Sequence, residues 1–300
     1  MEYMKHMEQS YKSVGSFIFS NVLYILWFIL YVVIAWLILG ASPEVLFLVL
    51  VVYGASVAIA LSPTGEILLR LLENIREPHT QQERDYLTPI FEEVYDSVKE
   101  VYPNIGSGIK IYIIDAMYVN AFAIGRCTIA VTKGALTTLS ADELKGVIAH
   151  EFGHMKYGHT KALLLSVIGN LFFSIIVWFF RLVLNILQII STIVAHLNFV
   201  ALGFAFFTFL ARILVDVSAF IFINLSQVIL ALNSRTNEIQ ADRFAHDIGY
   251  GEELISCLYL FQKITMNAKM SLIDRAKASH PHLAYRIAKL EELENNATWE

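Results

Sequence analysis

His150-Glu151-Phe152-Gly153-His154 sets two imidazoles four residues apart, with a carboxylate beside the first. Positions four apart on a helix share one face, so His150 and His154 can offer two nitrogens to a single Zn2+. Glu151, one position on, is rotated off that line and can reach a water at the metal instead of the metal itself. Zn2+ makes such a water acidic near neutral pH and polarises a carbonyl. Glu151 would accept the water's proton and later deliver it to a leaving amine. The bland alternative is a chance pattern on a surface helix, since five-residue patterns do recur.

A third ligand is available in Asn237-Glu-Ile-Gln-Ala-Asp242. Glu238 would complete a set of two histidines and a carboxylate, which leaves the fourth zinc position open for catalysis. Asp242 lies one turn beyond on the same face and could take a hydrogen bond from the outer nitrogen of a ligand histidine, fixing its tautomer. On their own, the two acids could equally cap or solvate the start of a helix. His159, five residues past His154, falls off the ligand face of a regular helix and reads as helix-end polarity near lipid headgroups. His282 reads as surface.

The elements that must position these groups are also legible. Ser140 with Glu143 forms a capping-box pattern that opens the HEFGH helix, and Thr80 with Glu83 opens another. After Thr80, apolar residues from Leu87 to Val98 recur at helical spacing, while Pro89 is expected to kink that helix or delay its start. Ile111–Ile114 and Thr128–Thr132 read as short strands. A substrate could lie against a sheet edge by main-chain pairing, for which Asn120, Ala121, Phe122, Ala123 and Thr128–Val131 are candidates; the alternative is a purely structural strand.

Hydrophobic residues make up 56% of the 300 and charged residues 16%. From Gly15 to Gly65 the one charge is Glu44, and from Ala162 to Leu232 the charges are Arg181, Arg212 and Asp216. Each window holds spans of about 20 apolar residues. Spans are expected near Phe17–Leu39, Val45–Leu61, Ala162–Phe180 and Ile213–Leu232, the last two joined by an apolar hairpin that lies in the interface or extends both helices. The first exceeds a signal-peptide core of roughly 7–15 residues and lacks a clear cleavage site, so it is expected to stay. Lys5, Lys12, Arg70, Arg76, Lys161 and Arg235 flank the side opposite the turn at 40–44, which predicts a cytoplasmic catalytic region; Arg181 and Arg212 pull the other way. Cys127 and Cys257 are far apart and suggest a reduced compartment. A net charge of −5 without a basic run gives no sign of nucleic-acid binding.

Asn120-Ala-Phe-Ala123, then HEFGH, then Glu238-x-x-x-Asp242, then Ser279-His-Pro281 with Arg286 resembles the HtpX-type membrane proteases, relatives of the CaaX prenyl-protein proteases. The order and spacing cover nearly the whole chain, although the apolar 181–212 hairpin departs from the polar loop common in that family. The resemblance implies one Zn2+ per chain on His150, His154 and Glu238, with Glu151 as general base. It also implies that His280 stabilises the oxyanion, that Arg286 pairs with an acid such as Asp242, and that the 120–123 strand lies beside the zinc.

The expected fold is a mainly α membrane protein: four transmembrane helices and a cytoplasmic α+β zincin-like protease domain with a small β-sheet. The expected divisions are 1–62, with two spans; 63–161, with the HEFGH helix; 162–232, a transmembrane hairpin; and 233–300, with the third ligand. The expected function is a multi-pass, bacterial-type inner-membrane endopeptidase that acts on membrane or misfolded polypeptides in quality control. A prenyl-protein protease is disfavoured because its relatives enclose a chamber with more spans. A metal-binding adaptor needs ligands but not Glu151. Transport would need more intramembrane charge than Arg181, Arg212 and Asp216 supply. Oligomeric state, cleavage preference and autocleavage are not readable from the chain.

Overall fold

The computed structural model describes residues 40–196, 199–232, 234–266 and 283–297, with helical pieces between 26 and 37. Most of the expected first span, and the Ser279-His280-Pro281 element with His282, lie outside the described residues.

Gly40 and Ala41 make the turn into α1 (Pro43–Ala60), which Ser42 caps with Pro43 in the first helical turn. Most of its residues, Phe47 and Leu48 among them, are exposed, as a lipid-facing helix requires. Ser62 then caps α2 (Pro63–Leu72), so Pro63 ends one helix and starts another. After β1 (Ile75–Arg76) comes α3 (Gln81–Val101), opened by the Thr80/Glu83 capping box. Pro89 neither delays nor ends α3. It deprives only the Asp85 carbonyl of a partner, and both residues sit on the solvent face, where water can replace the lost bond.

Strands β2 (Lys110–Ile114), β3 (Ala121–Ile124) and β4 (Thr128–Thr132) join β1 in a sheet of order β1-β2-β4-β3. β2 and β4 are parallel, with Lys110 opposite Thr128, and β3 runs antiparallel to β4, with Ala121 opposite Val131. Because β4 is interior, Thr128–Val131 cannot present an edge to a substrate, and that part of the expectation is corrected. β3 is an outer strand and can. Short helix α4 (Lys133–Thr138), capped by Thr132, leads to the HEFGH helix α5 (Ala141–Tyr157), opened by the Ser140/Glu143 box.

Two long helices follow, α6 (Thr160–Ala195) and α7 (Phe199–Leu232), and then α8 (Ser234–Asp247), α9 (Gly251–Met266) and α10 (Leu283–Ala297). The apolar hairpin therefore extends both helices. At about 1.5 Å per residue α6 is about 54 Å long, well beyond a hydrocarbon core of about 30 Å. Length alone does not fix where lipid lies along it. Among the described residues, the helices long and apolar enough to cross a membrane are Pro43–Ala60, Val177–Ala195 and Leu202–Ile221. Arg181 and Asp216, joined at 2.6 Å between α6 and α7, fall inside these stretches, where pairing offsets part of the cost of burying charge.

The main core lies on one face of the sheet. Leu87, Phe91 and Val94 of α3, Ile113, Ile129 and Val131 of the sheet, and Leu144, Ile148 and Phe152 of α5 are buried there with Phe244, Leu258 and Leu290. The other face packs Tyr112, Ile114 and Ala130 against Leu69 of α2 and Leu164 of α6. The sheet is thus held between the HEFGH layer and the roots of the apolar helices. Cys127 and Cys257 are both free thiols.

Arg76 clasps Glu83 at 2.7 Å, and that hydrogen bond holds the Glu83 carboxyl down at about 2. A depressed carboxyl contributes stability above its unfolded value, here 4.5, and loses it as pH falls toward 2. Arg76 also binds Asp115 at 2.8 Å and holds that carboxyl lower still. Arg76→Gln should therefore destabilise the protein at pH 7 and cost progressively less as pH falls below the unfolded values of both acids, by thermal unfolding in detergent; a loss that does not shrink with pH would refute the linkage.

Candidate active site

The site is built where α5 crosses α8. Gly153 permits the crossing: a Cβ there would stand 2.8 Å from the Ala241 Cα of α8. That closeness brings the HEFGH face against Glu238 and Asp242, which are themselves one turn apart. His150 Nε2 and His154 Nε2 lie 3.1 Å apart, and Glu238 oxygens lie 3.5 Å from the first and 3.4 Å from the second. Ligand atoms at about 2.0–2.1 Å from a tetrahedral Zn2+ are about 3.3 Å from one another. The three donors therefore fit one such ion.

Charge supports the same fit. Glu151, Glu238, Asp242 and Arg286 are all buried. With both histidines neutral, as metal ligands must be, three carboxylates and one guanidinium leave two negative charges, which a divalent cation would cancel. Burial drops His154 to about 4, the neutral form that binds metal. His150 is pulled down by burial and by Arg286, but its bonds to Asp242 and Glu238 outweigh both and raise it.

Around the donors, each polar group has a partner. His150 Nδ1 lies 2.9 Å from Asp242 Oδ1, leaving Nε2 for the ion. Arg286 of α10 bonds both Asp242 oxygens, at 2.8 and 2.6 Å, and reaches Glu238 Oε2 at 2.7 Å. Glu151 Oε2 accepts the Ala123 N–H of β3 at 2.8 Å. Asn120 is bonded to β4 through Thr132, so by strand alternation Ala121 and Ala123 turn their main-chain groups toward the open edge beside Glu151. Phe152, on the opposite side of α5, stacks against Phe91 and Tyr95 and fixes the helix in the core.

His159 is the residue that the helical periodicity misplaced. α5 ends at Gly158 in the left-handed conformation, φ 72°, and the chain turns back. His159 Nδ1 comes within 3.0 Å of His154 Nδ1, and its Nε2 lies 3.1 Å from Gln240 Oε1. With a metal on His154 Nε2, one arrangement of protons satisfies the chain: His154 Nδ1–H donates to His159, whose Nε2–H donates to Gln240. Gly158, a helix-stop residue four positions past the motif and directly before His159, was the available signal. His159→Ala should weaken zinc binding about 10–100-fold in chelator competition; unchanged affinity would remove His159 from the site.

The profile of peptidase family M48 matches residues 81–294, which runs from α3 through every residue of this site. The chain belongs to peptidase family M48. The M48 match takes in both halves of the site, on either side of the α6–α7 hairpin, and makes the protein a metalloprotease with apolar helices of membrane-spanning length. It is 34% identical to the "Protease HtpX homolog" of Dictyoglomus turgidum over 147 residues, 47% of this chain and 44% of that protein. Longer matches are with "Protease HtpX" of Alcanivorax borkumensis, 28% over 74% of this chain and 75% of the relative, and the "Protease HtpX homolog" of Methylacidiphilum infernorum, 25% over 85% and 88%. Among solved structures, S. mikatae Ste24p is similar with a TM-score of 0.48 and 20% identity, over 90% of this chain and 67% of that one.

Proposed function

We propose that this M48 protein is a four-span, inner-membrane zinc endopeptidase whose site faces the cytoplasm and which cleaves membrane or misfolded polypeptides. The observation that carries the reading is the convergence of His150, His154 and Glu238, with ligand atoms within 4.8 Å of one another, beside a buried Glu151. Those three residues would hold one Zn2+ per chain. The ion, when bound, would supply an acidic water and polarise the scissile carbonyl.

The chain's own groups do the rest. An extended polypeptide pairs with the open edge of β3 along Asn120–Ala123, through the main-chain groups of Ala121 and the Ala123 carbonyl, which places its scissile bond along α5. The Ala123 N–H holds Glu151 Oε2, so that Oε1 takes the proton from the attacking water and later hands it to the amine nitrogen as the peptide bond breaks. Asp242 keeps His150 in the metal-binding tautomer, and Arg286 keeps Asp242 ionised. His280, by the HtpX resemblance, would donate to the oxyanion. Zincin-like architecture, in this reading, is the sheet edge laid along the HEFGH helix.

Chelator-stripped protein in detergent, given Zn2+ and then either unfolded casein or a prenylated CaaX peptide, separates the readings. Zinc-dependent cleavage of casein within its chain supports the proposal. Cleavage of the prenyl peptide alone would move the assignment to a prenyl-protein protease, and zinc binding with neither cleavage to a metal-binding adaptor.

A further inference from the structure

A fourth buried carboxylate, away from the site, is spent on one turn. Glu66 of α2 is 7% exposed. Its Oε1 accepts the Thr128 hydroxyl at 2.6 Å and the Cys127 N–H at 3.2 Å, and its Oε2 accepts the Arg126 N–H at 3.1 Å. These three donors make up the β3–β4 turn and the first residue of β4. From the other side Thr160, the first residue of α6, donates its hydroxyl to the Gly125 carbonyl at 2.7 Å. Gly125 itself has φ +57°, and a Cβ on it would stand 2.2 Å from Glu66 Oε2. The turn is shaped around this carboxylate.

Position gives the contact its consequence. Glu66 sits six residues beyond the end of α1, and Thr160 begins α6. The turn they grip follows directly on β3, whose Ala123 amide bonds Glu151. A path of hydrogen bonds therefore runs from the roots of two apolar helices, through residues 125–128, to the strand beside the candidate base. A glutamine at 66 would keep one acceptor oxygen and turn an NH2 against N–H and O–H donors, leaving buried groups unsatisfied.

We propose that Glu66 is a positioning residue for catalysis: it anchors the β3–β4 turn so that β3 stands along the cleft, sets the substrate's register, and holds the Ala123 amide on Glu151. The proposal rests on the reading of β3 as the substrate strand and Glu151 as the base. It predicts an effect on extended substrates that spares the metal donors, since His150, His154 and Glu238 are fixed by α5, α8 and Arg286, none of which Glu66 touches.

The test compares wild type, Glu66→Gln and Thr128→Val (the milder loss of one donor) as zinc-loaded protein in detergent. Two inhibitors are used: a phosphonamidate peptide long enough to pair with β3, and acetohydroxamate, which reads the metal alone. Glu66→Gln should weaken the peptide inhibitor and raise KM roughly 10–100-fold, with zinc content and acetohydroxamate affinity unchanged; Thr128→Val should shift both in the same direction by less. Amide exchange should quicken in peptides covering 120–128 and stay unchanged across α5, which reads the anchor even where activity is low. Equal loss for both inhibitors, or unchanged peptide affinity and exchange, overturns the proposal. Wild-type protein that neither holds zinc nor binds either inhibitor fails the protease reading itself and takes this inference with it.

Discussion

Glu151→Gln should lower peptide hydrolysis about 10³-fold, within the range for loss of a positioned general base, while zinc content and fold stay as in wild type. The substitution keeps an oxygen for the Ala123 N–H, so β3 is not released, and it removes no member of the His150–His154–Glu238 set. What it removes is the group able to carry a proton from water to the leaving amine. Single-turnover cleavage of casein by detergent-purified protein, beside zinc analysis of the same samples, is the check. Activity within tenfold of wild type would mean that another group moves the proton and that Glu151 is a structural acid.

Arg286→Met should have the largest effect on stability. Arg286 is 3% exposed and is the cation between Asp242 and Glu238, which are buried with it. Removing one partner of a buried ionic cluster costs about 3–5 kcal/mol, because the remaining charges stay out of water uncompensated. The effect should extend to the metal: Asp242 would lose the bidentate partner that orients it toward His150. Zinc added to the apo variant should restore part of the lost thermal stability, since the ion supplies positive charge to the same carboxylates. A variant as stable as wild type without metal would show that the cluster contributes little.

The parts legible in the sequence were those set by short spacing. Capping boxes at Thr80 and Ser140 act within one helical turn, so the starts of α3 and α5 could be read directly and the structure places them there. The four-residue intervals His150–His154 and Glu238–Asp242 likewise put their members on common faces. Their meeting depends on a contact 88 positions apart in sequence, from His150 to Glu238, which the close approach of Gly153 to Ala241 permits. Long-range bonding was the part that could not be read. Regular periodicity placed His159 at the headgroups, and one left-handed residue, Gly158, returned it to His154. Glu66 gave no local signal at all, since its partners lie 60 to 62 residues away. Pro89 did not delay the start of α3, because its cost depends on whether the orphaned carbonyl faces water, which a sequence does not state.

Span placement shows a similar limit. α6 and α7 are each far longer than one crossing, so hydropathy admits more than one window along them. The Arg181–Asp216 pair compounds the ambiguity: as separate residues they read as interface markers, and as a 2.6 Å pair they tolerate greater depth.

In the proposed function His150, His154 and Glu238 hold a catalytic zinc. The most direct measurement is zinc stoichiometry with X-ray absorption at the zinc edge, on stripped and refilled wild type and on the His150→Ala/His154→Ala double variant. One zinc per chain, bound by two imidazole nitrogens and a carboxylate oxygen and lost in the double variant, is the predicted result. Zinc that persists without the two histidines, or wild-type protein that takes up none, would contradict it.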